Sequence, residues 1–188
     1  RPAALAFSRS ESMMATTKRH PATMRATVGA AADGTVCAMR FEGDFNTGAY
    51  SSWGPTVANR VPVHASGPYV TPNYRAEGRA IHTNGPISGA FRGFGVPQAT
   101  IMQEALYDQL ADRLAIDRLK FRLKNCLRNG SETVTGQKLE AGVGIGACLE
   151  ALEPHWVQAL AEADSFNAGG EAASRAVRRG VGIASCWY

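Results

Sequence analysis

The most constraining feature of the sequence is the run Gly89-Ala90-Phe91-Arg92-Gly93-Phe94-Gly95-Val96-Pro97-Gln98. One arginine and two phenylalanines sit among three glycines, and the run opens into a segment with helical apolar spacing. Glycine tolerates backbone angles and close approaches that a Cβ would block. Pro97 suits the first turn of a helix, where its missing N–H costs little. The run therefore predicts a tight loop that aims main-chain N–H groups and Arg92 at an anion, at a helix N-terminus. A packing loop, with its phenylalanines in the core and Arg92 capping a carbonyl, is equally compatible with these residues. The glycine spacing is not that of a dinucleotide-binding fingerprint, and the Gly-Lys-Ser/Thr of a phosphate-binding loop is absent.

The segments around the loop predict an α+β fold. Residues 22–28 alternate, with Met24, Ala26 and Val28 on one face, and Cys37, Met39 and Phe41 alternate against Arg40 and Glu42. Asp33-Gly34 between them predicts a hairpin. Residues 69–83 read as a further strand, followed by a turn at Asn84-Gly85-Pro86. Three amphipathic helices are expected to cover this sheet. Residues 97–114 place Met102, Ala105, Leu106, Leu110 and Leu114 on one stripe and Glu104, Asp108 and Asp112 on another. Asp117 should cap a second helix that stops at Asn129-Gly130. Residues 145–163 form a third, with Cys148, Leu149, Leu152, Trp156 and Leu160 facing inward and Pro154 kinking or splitting it. Shorter elements are a strand at 1–8, a helix capped by Ser10, a helix over 56–64 interrupted at Pro62, and a final strand over 177–188. Residues 44–54 read as a loop and 167–173 as a small-residue linker. Residues 1–188 form one structural unit, with a sub-boundary available in the polar loop 130–144.

Composition removes several function classes. A net charge of +4 without a run of basic residues does not make a nucleic-acid surface, the densest cluster being Arg175 to Arg179. No stretch reaches membrane-spanning length. Cys37, Cys126, Cys148 and Cys186 form no close pair, which argues against a structural zinc site, an iron–sulfur cluster or a disulfide framework. They read as small buried apolar residues in a reducing, cytoplasmic compartment. His20, His64, His82 and His155 show no metal-binding pair, and no nucleophile elbow is present.

The string Ala90-Phe91-Arg92-Gly93-Phe94-Gly95 with Pro97-Gln98 resembles the loop beside the molybdenum in the large subunit of the xanthine dehydrogenase/aldehyde oxidase family. Lys18-Arg19-His20-Pro21, Gly48-Ala49-Tyr50, Asn73-Tyr74-Arg75 and Phe121-Arg122-Leu123-Lys124-Asn125 resemble the same family in the same order. The family's subunit is several times longer, and this chain starts on Arg-Pro. The expectation is an internal segment, inactive by itself.

The resemblance implies a molybdenum cofactor-binding fold in an enzyme that hydroxylates an aldehyde or an N-heterocycle, such as a purine, with water. It implies a bound molybdenum–molybdopterin cofactor, with iron–sulfur clusters and FAD in other domains or subunits. Phe91, Arg92 and Gly93 would bind the cofactor, Arg92 lying in the molybdenum's surroundings without ligating it. Phe94 would pack on a flat substrate. The spacing of Arg60 before Arg92 resembles the xanthine-oxidising branch, in which an arginine binds a purine oxygen; a surface arginine on a short helix is the alternative. The family's catalytic glutamate falls beyond Tyr188, and none of Glu11, Glu42, Glu77, Glu104, Glu132 and Glu140 matches its motif. The carbon monoxide dehydrogenase branch carries a cysteine in the equivalent loop, where Gly93 and Phe94 follow Arg92 here. An aldehyde- or thioester-acting relative, or a non-catalytic scaffold of the same fold, remains an alternative.

Overall fold

A computed structural model describes residues 1–169 and 177–188. The elements run α1 (Arg9–Ala15), β1 (Ala22–Ala30), β2 (Val36–Gly48), α2 (Gly54–His64), β3 (Asn73–His82), α3 (Val96–Arg113), α4 (Arg118–Asn125) and α5 (Ile145–Ala168). The sheet order is β1-β2-β3. The Asp33-Gly34 turn joins β1 and β2 as an antiparallel hairpin, and β3 then pairs parallel to β2. A parallel return needs a crossover, and α2 supplies it. The result is a mixed sheet within an α+β fold.

Two apolar clusters hold the layers together. Met39, Phe41 and Phe45 on the inner face of the sheet meet Ala58, Val61 and Ala65 around α2 and Ala99 of α3. The second cluster joins Val36, Tyr69, Tyr107, Leu119, Phe121, Leu149 and Trp156, clamping α3, α4 and α5 to the turn end of the hairpin. Gly78 lets α2 lie directly on β3: a Cβ there would come 2.8 Å from the Ala58 carbonyl oxygen. Asn125 ties the turn to α4 by accepting from Val36 N at 2.8 Å and donating to Gly34 O at 2.9 Å. Asp117 caps α4 through the Lys120 N–H, as expected from its place in the sequence.

Several expectations are corrected. Residues 1–8 form no strand; Leu5 and Phe7 lie exposed. The first helix is capped by Ser8, not Ser10, in a reciprocal capping box with Glu11. Residues 44–48 extend β2, so the following loop is shorter than expected. Cys37 points outward because the β1–β2 register shifts at Gly29/Ala30, which pairs with Val36 and leaves Cys37 as the extra, bulged residue. Cys148 and Cys186 are exposed as well, and only Cys126 is buried. α2 runs through Pro62, and α5 runs unbroken through Pro154. On α5, Leu149 and Trp156 face the core while Leu152 is exposed. Residues 177–188 join no strand among the described residues, although 181–188 alternate in burial. Of the linker expected at 167–173, Asn167 and Ala168 end α5, and residues 170–173 lie outside the described residues, as do Arg175 and Ala176 of the basic cluster.

The largest correction concerns α3. Ala105 is exposed and Glu104 is buried, so the inward face is rotated onto Ala99, Gln103, Glu104, Tyr107 and Ala111. The reason is Arg122 of α4, whose side chain is fully buried. Its Nε donates to Glu104 Oε2 at 2.7 Å, and its Nη2 reaches Glu104 Oε2 at 2.6 Å and Asp108 Oδ1 at 2.8 Å. Tyr69 Oη donates to the other Glu104 oxygen at 2.9 Å. Burial opposes the arginine's charge, but Glu104, Tyr69 and Asp108 outweigh it and raise its pKa.

Removing one partner of a buried ion pair strands the other charge, at about 3–5 kcal/mol. Arg122→Ala is expected to destabilise the protein by that order in equilibrium urea unfolding. A loss under about 1 kcal/mol would show that the pair does not hold α4 on α3.

Candidate functional site

The glycine-rich run forms the loop between β3 and α3, and its stem is pinned on two sides. Ser88 N donates to Thr47 O at 3.0 Å, at the end of β2. On the other side, Lys18 N donates to Ile87 O and Gly89 N to Lys18 O, both at 3.0 Å. Residues 17–20 thus run beside the loop like a rail, with Thr17 Oγ1 donating to Ala90 O at 3.3 Å.

Gly93, Phe94 and Gly95 follow in left-handed geometry, with φ of 89°, 45° and 96°. Gly95 is the N-cap residue of α3, and a Cβ on it would lie 2.8 Å from Val61 Cγ2 and 3.0 Å from Val57 O. Only glycine lets the loop rest against α2 in this way. Phe94 holds a conformation that costs a non-glycine residue about 1–3 kcal/mol. The Trp53 ring meets it edge-on at 6.2 Å.

Within the loop, Phe94 N donates to Phe91 O and Val96 N to Gly93 O, both at 2.8 Å. The N–H groups of Phe91, Arg92 and Gly93 donate to no backbone carbonyl among the described residues. The Arg92 side chain is exposed and forms no ion pair or hydrogen bond among them. The loop therefore presents free amides and a free guanidinium at the N-terminal end of an 18-residue helix, an arrangement that attracts anions.

Phe91, Arg92, Gly93 and Phe94 are thus brought together. Phe91 is half-exposed, whereas the packing alternative would have buried it. Arg60 makes no hydrogen bond or ring contact with the loop. It sits on α2 with a buried, unbonded Nε and its guanidinium carbon 4.4 Å from the centre of the Tyr188 ring. Tyr188 in turn lines an apolar groove of about 710 Å³ together with Gly93, Pro97 and Ile101. Arg60 therefore reaches the loop's surroundings through Tyr188. His64 stacks on the same ring, and burial, then the Arg60 charge, hold its pKa below the ordinary histidine value. Among the described residues no three His, Cys, Asp or Glu side chains converge as a metal cage. Glu104 also borders the groove, but Arg122 and Tyr69 occupy both its oxygens.

Four residues near the site carried no role in the sequence reading: Arg19, Trp53, Gln98 and Tyr188. Arg19 and Gln98 lie inside strings that resemble the family. Their contact spans 79 residues of chain, and no local pattern encodes it.

Residues 1–126 match the family described as the molybdopterin cofactor-binding domain, over more than half of the chain. The chain belongs to that family. It is 42% identical over 160 residues to the nicotinate dehydrogenase large molybdopterin subunit of Eubacterium barkeri, covering 85% of this chain and 38% of that one. It is 32% identical over 188 residues to the putative xanthine dehydrogenase molybdenum-binding subunit of Escherichia coli, covering 100% of this chain and 24% of the relative. The chain thus spans well under half the length of these relatives. Among solved structures, the aldehyde oxidoreductase of Desulfovibrio gigas superposes with a TM-score of 0.81 at 33% identity, over 85% of this chain and 17% of that one. A copper- and molybdenum-containing carbon monoxide dehydrogenase shares the fold, with a TM-score of 0.75 at 21% identity.

Proposed function

We propose that this molybdopterin-binding segment belongs to a larger molybdenum hydroxylase that oxidises an N-heterocycle or an aldehyde with water. The observation that carries the reading is the free Arg92 guanidinium beside the unbonded amides of Phe91, Arg92 and Gly93. A molybdopterin is large and anionic, and the loop fits it: the donors are fixed, and none of the described carboxylates forms an ion pair with Arg92. When bound, the cofactor supplies the two-electron redox chemistry.

The chain's own residues then bind and orient. The Phe91–Gly93 loop holds the cofactor's polar edge through N–H donors whose positions are set before binding, which is what makes such donors effective. Arg92 contributes a fixed positive charge in the metal's surroundings. Phe94, held by Trp53, offers a ring for a flat substrate, a contact contributing about 0.5–1.5 kcal/mol beyond area burial. Arg60 meets an oxygen of the substrate. Among the described glutamates, Glu11 caps α1, Glu42 pairs with Arg40 and Glu104 with Arg122. The base is supplied by another part of the larger enzyme in this reading. Iron–sulfur and flavin partners complete electron transfer, and three exposed free thiols favour a reducing cytoplasm. No helix among the described residues is long and apolar enough to cross a membrane.

An N-heterocyclic substrate is favoured over an aldehyde by the Arg60 cation and by the name of the nicotinate dehydrogenase relative. A charged hydrogen bond contributes about 1.5–3 kcal/mol, and an aldehyde's hydrocarbon part gains nothing from it.

In the full-length enzyme, Arg92→Ala should lower turnover by roughly 10²–10³-fold, the cost of losing one preorganised donor. Near-normal turnover with normal molybdenum content would remove Arg92 from the site. Arg60→Leu should depress N-heterocycle turnover by about one to two orders of magnitude while aromatic aldehyde turnover holds or rises. An unchanged ratio between the two substrates would show that Arg60 does not discriminate.

A further inference from the structure

We propose that Arg19 is the positioning residue of the Arg92 loop. This rests on the reading that Arg92 faces the bound cofactor. Arg19 lies on the rail beside the loop, and its guanidinium holds three partners in different directions. Nη2 donates to the Arg92 carbonyl oxygen at 2.5 Å. Nη1 donates to Gln98 Oε1 at 3.4 Å, in the first turn of α3. The guanidinium carbon lies 4.8 Å from the centre of the Phe91 ring. Gln98 is itself buried, and its Nε2 donates to His20 O at 3.4 Å, which returns the network to the rail.

This arrangement separates two jobs between two arginines. Arg19 spends its fork on the protein, bonding the main chain of the residue whose side chain remains free. Arg92 spends nothing on the protein and keeps its whole guanidinium for a ligand. Between Gly89 and Gly95 the loop has few other restraints. Its internal bonds are Phe94 N to Phe91 O and Val96 N to Gly93 O, and glycine supplies two of its turning residues. Arg19 is what fixes the Arg92 carbonyl, and with it the direction in which the Arg92 side chain leaves the backbone.

The planar fork matters more than the charge. A lysine offers a point cation that cannot reach a carbonyl and an amide oxygen while lying flat on a ring. No carboxylate pairs with Arg19 among the described residues. The residue is only half-buried and belongs to neither apolar cluster, so its removal should loosen the loop and leave the core intact.

The test uses the full-length protein in two forms. In cofactor-free protein, hydrogen–deuterium exchange is followed for peptides spanning the loop, with β2 and α4 as internal controls. Arg19→Lys and Arg19→Ala should both speed exchange of the loop amides by about tenfold or more, with the controls and the unfolding temperature unchanged. In holoenzyme, both variants should lower kcat by about tenfold or more with KM held within a few-fold. The Arg19→Ala/Arg92→Ala double variant should be slowed by clearly less than the product of the two single effects, because the part of the Arg19 effect that acts through the Arg92 side chain is already absent. Wild-type loop exchange in Arg19→Lys would overturn the proposal. So would a double variant slowed by the product of the two single effects. Normal turnover in Arg92→Ala would defeat the proposed function instead, and loop exchange would then decide the role of Arg19 by itself.

Discussion

The structure depends on one buried cation. Arg122 has no exposed surface and must be neutralised where it stands, and Glu104 is the group that does it. That requirement sets the rotation of α3 about its own axis, since Glu104 has to face α4. Rotation in turn brings Ala99 onto the sheet and Tyr107 into the second cluster. It also sets where the N-terminus of α3 emerges, and the glycine-rich loop is the continuation of that N-terminus. A core charge some two to three helical turns away thus helps to aim the glycine-rich loop.

At the loop the electrostatics are reversed. Where Arg122 is saturated with acceptors, Arg19 and Arg92 have no carboxylate at all among the described residues. Arg19 is bonded to the Arg92 carbonyl, and the Arg92 side chain is left exposed with its amide neighbours unbonded. The fold accepts this, together with a left-handed phenylalanine between two left-handed glycines. Unsatisfied donors and local backbone strain gathered at one point mark a place shaped for a ligand. A negatively charged pterin that accepts several hydrogen bonds would satisfy the unbonded donors.

The sequence made some of this legible and hid the rest for identifiable reasons. The hairpin was readable because Asp33-Gly34 separates two period-2 runs, and Asp117 announced its helix because capping is local chemistry. The glycine-rich loop's shape was readable because its glycines and Pro97 carry their conformational meaning within ten residues. Glu104 was misplaced on a solvent stripe because its partner lies 18 residues away on another helix, and helical periodicity has no knowledge of a partner. Cys37 was turned inward because a bulge shifts alternation by one residue without leaving a compositional mark. Ser8 and Glu11 hold the capping-box spacing, so the signal for this cap is present in the sequence, with Ser10 as a competing serine two residues on. The Arg19 contacts were out of reach, since they join segments 73 and 79 residues apart.

The central claim is spatial: the cofactor's metal lies against the loop that Arg92 tips. Anomalous diffraction at the molybdenum absorption edge, from crystals of the full-length holoenzyme, locates that metal without reference to activity. The account predicts one strong peak beside the Phe91–Gly93 backbone, within contact reach of the Arg92 guanidinium and on the open side of the groove that Tyr188 lines. A molybdenum peak remote from this loop, with Arg92 still directed into solvent, would contradict it.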